Sequence, residues 1–219
     1  MKIKTVIFDF DGTIADTLTT IVKLFNTQAK EFGLQPITKR DLEKFRNQSP
    51  FEIIKHFGIS LIKAPFIAAK IRAELKKKIA SVKLFPRIKE ILNKLKNKGF
   101  QLGILSSNSK ENIEEFLKKN DLSVFDFIHC EEKLFGKGQA LKNLLKIHRL
   151  KNNEVLYVGD EVRDIEACRE IGVKIISVTW GFNKKEILKK NKPDFLVDKP
   201  EQILRTIDKI TRSRNFVHK

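Results

Sequence analysis

Residues Val6–Thr17 read VIFDFDGTIADT. The strand expected over 3–9 carries the consecutive apolar residues Val6, Ile7 and Phe8, as a strand buried on both faces does. It stops at two carboxylates, Asp9 and Asp11, and a glycine turn follows at Gly12. Positions i and i+2 of a strand share a face, so this spacing puts the two acids on one side. Like charges that close raise each other's energy unless something neutralises them. The rest of the chain has to supply that partner.

Outward from this stretch, residues 17–82 contain no convincing strand. Residues 18–32 have helical periodicity, and Gly33 stops them. Residues 41–46 suggest a short helix. Ser49-Pro50-Phe51-Glu52 is a capping box, with Ser at N-cap, Pro at the first helical position and Glu at the third; Gly58 closes that helix. A fourth is expected over 64–81. From Pro86 the pattern changes. A helix running to Gly99 precedes a strand at 101–105 and a helix at 112–120. Strand 125–130, helix 139–149, strand 154–158, helix 162–171 and strands 173–179 and 194–197 follow. Strands alternating with helices predict an α/β fold with a Rossmann-like parallel sheet. A helical block of residues 16–81 would interrupt a core of residues 1–15 and 82–219.

The 219 residues are 41% hydrophobic and suffice for one sizeable core with a small insertion. No run of about 18 uncharged apolar residues is present, which argues against a membrane span. The start, MKIK, leads too quickly into Asp9 and Asp11 for a signal peptide. Cys130 and Cys168 have no metal or disulfide spacing, and a reduced, cytoplasmic setting is expected. The net charge of +17 is carried by lysines spread along the helices. It suits attraction of anionic small molecules; a basic nucleic-acid-binding protein is the less favoured alternative, because no recognition motif accompanies the charge. Oligomeric state is not legible.

Several strand ends are polar. The first ends at Asp9-Phe10-Asp11-Gly12-Thr13, another at Ser106-Ser107-Asn108, and a third at Gly159-Asp160, with Asp164 four residues on. Gly136-Lys137 precedes a helix. Parallel strands bring such ends to one sheet edge, where ligands bind. Acids converging there with hydroxyls favour Mg²⁺, which prefers carboxylates and water, and Asp9 and Asp160 would share it. Lys137 and loop N–H groups would form an anion cradle beside the cation, an arrangement suited to phosphate. A carboxylate in its middle can act as the nucleophile, with a second as acid and then base.

Four motifs in this order, DFDGT at Asp9–Thr13, ILSSN at Ile104–Asn108, Gly136-Lys137 and GDEVRD at Gly159–Asp164, resemble the haloacid dehalogenase-like superfamily in its phosphatase branch. The chain is most similar to phosphoglycolate phosphatase-like and β-phosphoglucomutase-like members, over essentially its full length. The resemblance implies that Asp9 is nucleophile and metal ligand, and that Asp11 is the acid/base with its carbonyl on the metal. Thr13 would hydrogen-bond around the first loop. Ser106, with Ser107 and Asn108, would bind phosphate. Lys137 would hold phosphoryl oxygens and nucleophile together, and Asp160 and Asp164 would bind Mg²⁺. The helical block 16–81 would be a cap that selects the substrate. Glu161 stands where many relatives carry a small residue and adds negative charge near the metal, which Arg163 would balance; Gly138 stands where a proline is common, and Lys133 lies near Lys137.

The implied activity is Mg²⁺-dependent hydrolysis of a small phosphorylated metabolite, phosphoglycolate-like, through an aspartyl-phosphate. A phosphomutase shares the same core residues and is the alternative. Arg46 and Asn47, in the turn between two cap helices, are candidates for gripping a second anionic group of the substrate; a solvated helix-end role for Arg46 is the competing reading. His56, His129, His148 and His218 lack metal-like spacing. Trp180-Gly181-Phe182 reads as a packed loop or a cap contact.

Overall fold

The computed structural model describes residues 3–131 and 136–212. Strands β1 (Thr5–Phe8), β2 (Gln101–Ser106), β3 (Phe127–Cys130), β4 (Val155–Gly159), β5 (Lys174–Val178) and β6 (Phe195–Val197) pair in parallel in the order β3-β2-β1-β4-β5-β6. Helices α1 (Leu18–Gln28), α2 (Lys39–Phe45), α3 (Pro50–His56) and α4 (Ala64–Lys76) lie between β1 and β2 in sequence. The remaining helices are α5 (Ile88–Asn97), α6 (Lys110–Lys119), α7 (Lys137–Ile147), α8 (Val162–Ile171), α9 (Lys185–Lys190) and α10 (Glu201–Arg212). The expected α/β class with a Rossmann-like parallel sheet is the class observed.

The sheet is covered on both faces, which is why β1 is apolar throughout. Val6 and Phe8 join one core with Ile88, Leu92 and Leu95 of α5, Phe116 of α6 and Ile203 and Ile207 of α10. Ile7 points the other way, to Leu141 and Leu144 of α7 and Ile165 of α8. The strand is shorter than the expected 3–9. It ends at Phe8 because the chain turns back: the N–H groups of Ile14 and Ala15 both donate to the Phe10 carbonyl, at 2.9 and 3.0 Å. Asp9 and Asp11 therefore sit in a loop rather than on one face of a strand. Phe10 between them is fully buried and meets Phe116 edge-on, ring centroids 5.1 Å apart. Such a pair adds about 0.5–1.5 kcal/mol beyond area burial.

The stretch between β1 and β2 is helical, as expected, with different ends. The α3 capping box forms as read: Ser49 N–H donates to Glu52 Oε2 at 2.6 Å and Glu52 N–H to Ser49 Oγ at 3.3 Å. Thr38 and Asp41 make a second box at α2. The first helix stops at Gln28, and the expected long fourth helix stops at Lys76, with a separate 3₁₀ turn at Ile79–Ser81. The strands of chain entering and leaving this block lie side by side: Asp16 N–H donates to the Lys83 carbonyl at 2.9 Å, and Phe85 N–H to that of Ile14 at 3.1 Å. No helix among the described residues is long and apolar enough to cross a membrane.

Candidate active site

Because β1 lies between β2 and β4, the loops after these three strands meet at one edge. Asp9 follows β1, Ser106 ends β2 and Asp160 follows β4. Asp164 arrives from the first turn of α8, and Lys137 from the start of α7. Asp9, Asp160 and Asp164 are buried, and each offers a carboxylate oxygen within 4.8 Å of the others. Among the described residues no other cluster of potential metal ligands forms.

The Lys137 ammonium lies 2.8 Å from Asp9 Oδ2 and also contacts Asp164 Oδ1. Its side chain is only 9% exposed. Burial disfavours its charge, but the two carboxylates outweigh that and hold its pKa above the ordinary lysine value. The three atoms Lys137 Nζ, Asp9 Oδ2 and Asp164 Oδ1 nevertheless make no hydrogen bond of proper direction. They are held by charge alone. Burial pushes Asp9 up to about 7, against the pull of Lys137. Asp160 is raised well above the carboxylate range by burial first and then by Glu161, Asp9 and Asp164. One ammonium does not neutralise three buried acids. Unpartnered carboxylate oxygens with no nitrogen or sulfur donor among them suit a hard divalent cation.

Asp160 is fixed on both oxygens. Thr13 Oγ1 donates to Oδ1 at 2.8 Å, and Phe182 N–H donates to Oδ2 at 2.7 Å. Gly12 and Gly181 flank the same carboxylate so closely that a Cβ on either would come within 2.2 Å of Oδ2; Gly12 also has φ +79°, where side chains are strained. Asp164 uses Oδ2 to accept the Glu161 N–H at 3.0 Å. Half-buried Asp11 has its pKa raised by burial, and Asn108 Nδ2 donates to both its oxygens, at 3.2 and 3.0 Å. Asn108 N–H in turn donates to Ser106 Oγ at 3.0 Å. Ser106, Ser107, Lys137 and Arg163 border one small recess.

A cavity of about 320 Å³ lies between this edge and the helical block. Asp11, Ser107, Asn108, Glu161 and Arg163 form its polar floor, and Ile21, Phe25, Ile54, Phe57, Ile71 and Leu75 are among its apolar walls. Arg163 was expected as a counter-charge to Glu161 and not as a residue of the site. Its Nε donates to Glu161 Oε1 at 2.8 Å, and the two side chains offset each other. That pairing is the one the sequence suggested; the place of Arg163 in the cavity lining is what it did not show.

Arg46 and Asn47 do not line the cavity, which corrects the expectation that they reach the substrate. Arg46 Nε donates to the Phe182 carbonyl at 3.2 Å and Nη2 to that of Gly181 at 3.0 Å. These two loop carbonyls engage the guanidinium on both its Nε and Nη2 donors. Asn47 is exposed, its amide donating to the Glu43 carbonyl of the preceding helix at 3.5 Å. Trp180 packs against Phe85 and donates from Nε1 to the Thr13 carbonyl at 3.2 Å. His56 and His148 make ring contacts with Phe45 and Phe127. Lys133 and His218 lie outside the described residues.

The sequence profile of the haloacid dehalogenase-like hydrolases matches residues 6–178. A phosphoglycolate phosphatase from Synechococcus elongatus is 36% identical over 208 residues, covering 94% of this chain and 98% of the relative. Pyrophosphatase PpaX from Bacillus mycoides is 26% identical, covering 96% and 99%. A solved haloacid dehalogenase-like family hydrolase from Streptococcus pneumoniae superposes with a TM-score of 0.79 at 25% identity, covering 93% and 98%. Matched along its length in sequence and in fold, the chain belongs to the haloacid dehalogenase-like hydrolases.

Proposed function

We propose that this chain is a Mg²⁺-dependent phosphatase acting on a small phosphorylated metabolite of the phosphoglycolate kind. The observation that carries the reading is the buried triad Asp9, Asp160 and Asp164 closed on one side by Lys137. Residues 1–15 and 82–219 act as the core, and residues 16–81 as a cap over the cavity. Asp9, Asp160 and Asp164, with the Asp11 carbonyl, would hold Mg²⁺. When bound, the ion supplies positive charge that keeps Asp9 ionised and draws phosphate in beside it.

The protein's own groups do the rest. Lys137 and the hydroxyls of Ser106 and Ser107 hold the phosphoryl oxygens, with Asn108 shaping that turn and Thr13 fixing Asp160. An Asp9 oxygen attacks phosphorus as the ester P–O bond breaks, and the departing alkoxide takes the proton of Asp11. The raised pKa of Asp11 suits it to carry that proton. Asp11 then takes a proton from water, whose oxygen attacks phosphorus. The bond to Asp9 breaks, releasing phosphate and restoring the carboxylate. Arg72 and Arg163 are the cations lining the cavity, and they would meet a second anionic group such as a carboxylate.

The test is phosphate release from a panel of phosphorylated metabolites, phosphoglycolate included, by the native chain and by Asp9→Asn. Turnover without a bisphosphate activator, lost in Asp9→Asn, supports the phosphatase. Turnover only with such an activator points to the phosphomutase instead. Undiminished release by Asp9→Asn refutes the mechanism.

A further inference from the structure

The peptide group joining Gly181 and Phe182 has a partner on each side. Its N–H, that of Phe182, donates to Asp160 Oδ2 at 2.7 Å. Its carbonyl, that of Gly181, accepts from Arg46 Nη2 at 3.0 Å, and the next carbonyl accepts from Arg46 Nε at 3.2 Å. Arg46 caps the C-terminus of α2, in the helical block, whereas Asp160 follows β4 of the sheet. One planar peptide therefore stands between a guanidinium of the block and a carboxylate of the acidic triad. A planar unit cannot turn its carbonyl without turning its N–H, and a charged donor on the carbonyl polarises the N–H into a stronger donor.

The loop is braced on the same side. Asn183 is 3% exposed. Its Nδ2 donates to the carbonyls of Arg46 and Gln48, at 3.2 and 3.0 Å, and its Oδ1 accepts the N–H of Val162, which opens α8, at 2.9 Å. Lys184 N–H donates to the Arg46 carbonyl at 2.8 Å. The Lys184 ammonium also pairs with Glu43 of α2 at 2.6 Å, a contact that touches neither the peptide nor Asp160.

We infer that Arg46 is a positioning residue: through the Gly181–Phe182 peptide it aims Asp160, so that seating of the helical block on the sheet completes the cation site. The inference rests on the reading of Asp160 as a Mg²⁺ ligand. Groups one step removed from a metal typically change its affinity by 10–100-fold, so Arg46→Ala, a step further out, should weaken Mg²⁺ by about tenfold.

The experiment is calorimetric titration of the full chain with Mg²⁺ alone, in parallel with the fluorescence of Trp180, the only tryptophan and the neighbour of Gly181. Circular dichroism checks the fold of each variant. Arg46→Ala should bind about tenfold more weakly, while Glu43→Gln, which removes the Lys184 ion pair between α2 and this loop, should bind as the native chain does. Should Arg46→Ala fail to fold, Arg46→Lys, which keeps the charge but loses the fork, replaces it and should also bind more weakly. Native affinity in the Arg46 variant overturns the inference, and so does equal weakening in Glu43→Gln, which would mean that docking in general is what matters. No Mg²⁺ binding by the native chain overturns the metal reading itself, and the inference with it.

Discussion

Replacing Thr13 by valine removes one hydroxyl from the interior and almost nothing else. The side chain is fully buried, and its Oγ1 donates to Asp160 Oδ1 at 2.8 Å. Valine has the same shape, so no cavity opens, and the loss is that of the hydrogen bond. Oδ2 keeps the Phe182 N–H, but Oδ1 loses its donor on a carboxylate that is fully buried. A buried acceptor left unpaired costs about 1–3 kcal/mol, toward the upper end when it is ionised. Because burial and neighbouring acids hold Asp160 well above the usual carboxylate range, the metal-free protein should show the lower part of that span. At about 2–4 °C per kcal/mol for a chain of this size, the melting temperature in EDTA should drop by roughly 2–8 °C. With Mg²⁺ the variant should also need more of the ion, by roughly 10-fold or more, as outer-shell partners usually require. Thermal denaturation followed by circular dichroism, with EDTA and over a Mg²⁺ series, reads both. A melting temperature within 1 °C of native, together with an unchanged Mg²⁺ requirement, refutes the reasoning.

Lys137→Met should abolish phosphate release and destabilise the metal-free fold by about 3–5 kcal/mol, the cost of removing one partner of a buried ion pair; activity above a tenth of native would show that another cation serves the site. EDTA should abolish activity and Mg²⁺ restore it, and full activity after exhaustive chelation would sink the metal reading. The Mg²⁺ effect on stability should also depend on pH. Asp9 moves from 3.8 to about 7 on folding, so its ionisation costs the metal-free fold stability as pH rises between about 4 and 7, and a cation that needs the ionised form gains there. The Mg²⁺-induced rise in melting temperature should therefore be larger at pH 8 than at pH 5, and the reverse order would contradict the assignment. Asp160→Ala should raise the Mg²⁺ requirement more than Glu161→Ala does, since Glu161 Oε1 is engaged by Arg163; the opposite ranking would exchange their roles.

The sequence by itself determined what is local. An apolar run ending in DFDGT predicts a buried strand and a polar turn because burial and chain reversal each demand those residue types within a few positions. The Ser49–Glu52 box was legible for the same reason: the donors it satisfies lie three residues away. Alternation of strands and helices was enough for the α/β class. Strand and helix ends were read less well, as at Phe8, Gln28 and Lys76, since they depend on where the chain turns back against distant packing. That the polar strand ends share an edge followed from parallel strands and the family resemblance; the strand order that brings them together is the work of the tertiary structure. The order β2-β1-β4 brings Ser106, Asp9 and Asp160 to one edge, across separations of 54 to 151 residues whose pairing no local pattern records. The tertiary structure also decided Arg46. In the sequence that residue is a cation in a turn, free to reach for a substrate. In the fold, the carbonyls of Gly181 and Phe182, about 135 residues onward, lie within its reach and take two of its donors. A flexible charged side chain takes the acceptors that folding leaves beside it, and those are set by packing rather than by its neighbours in the chain.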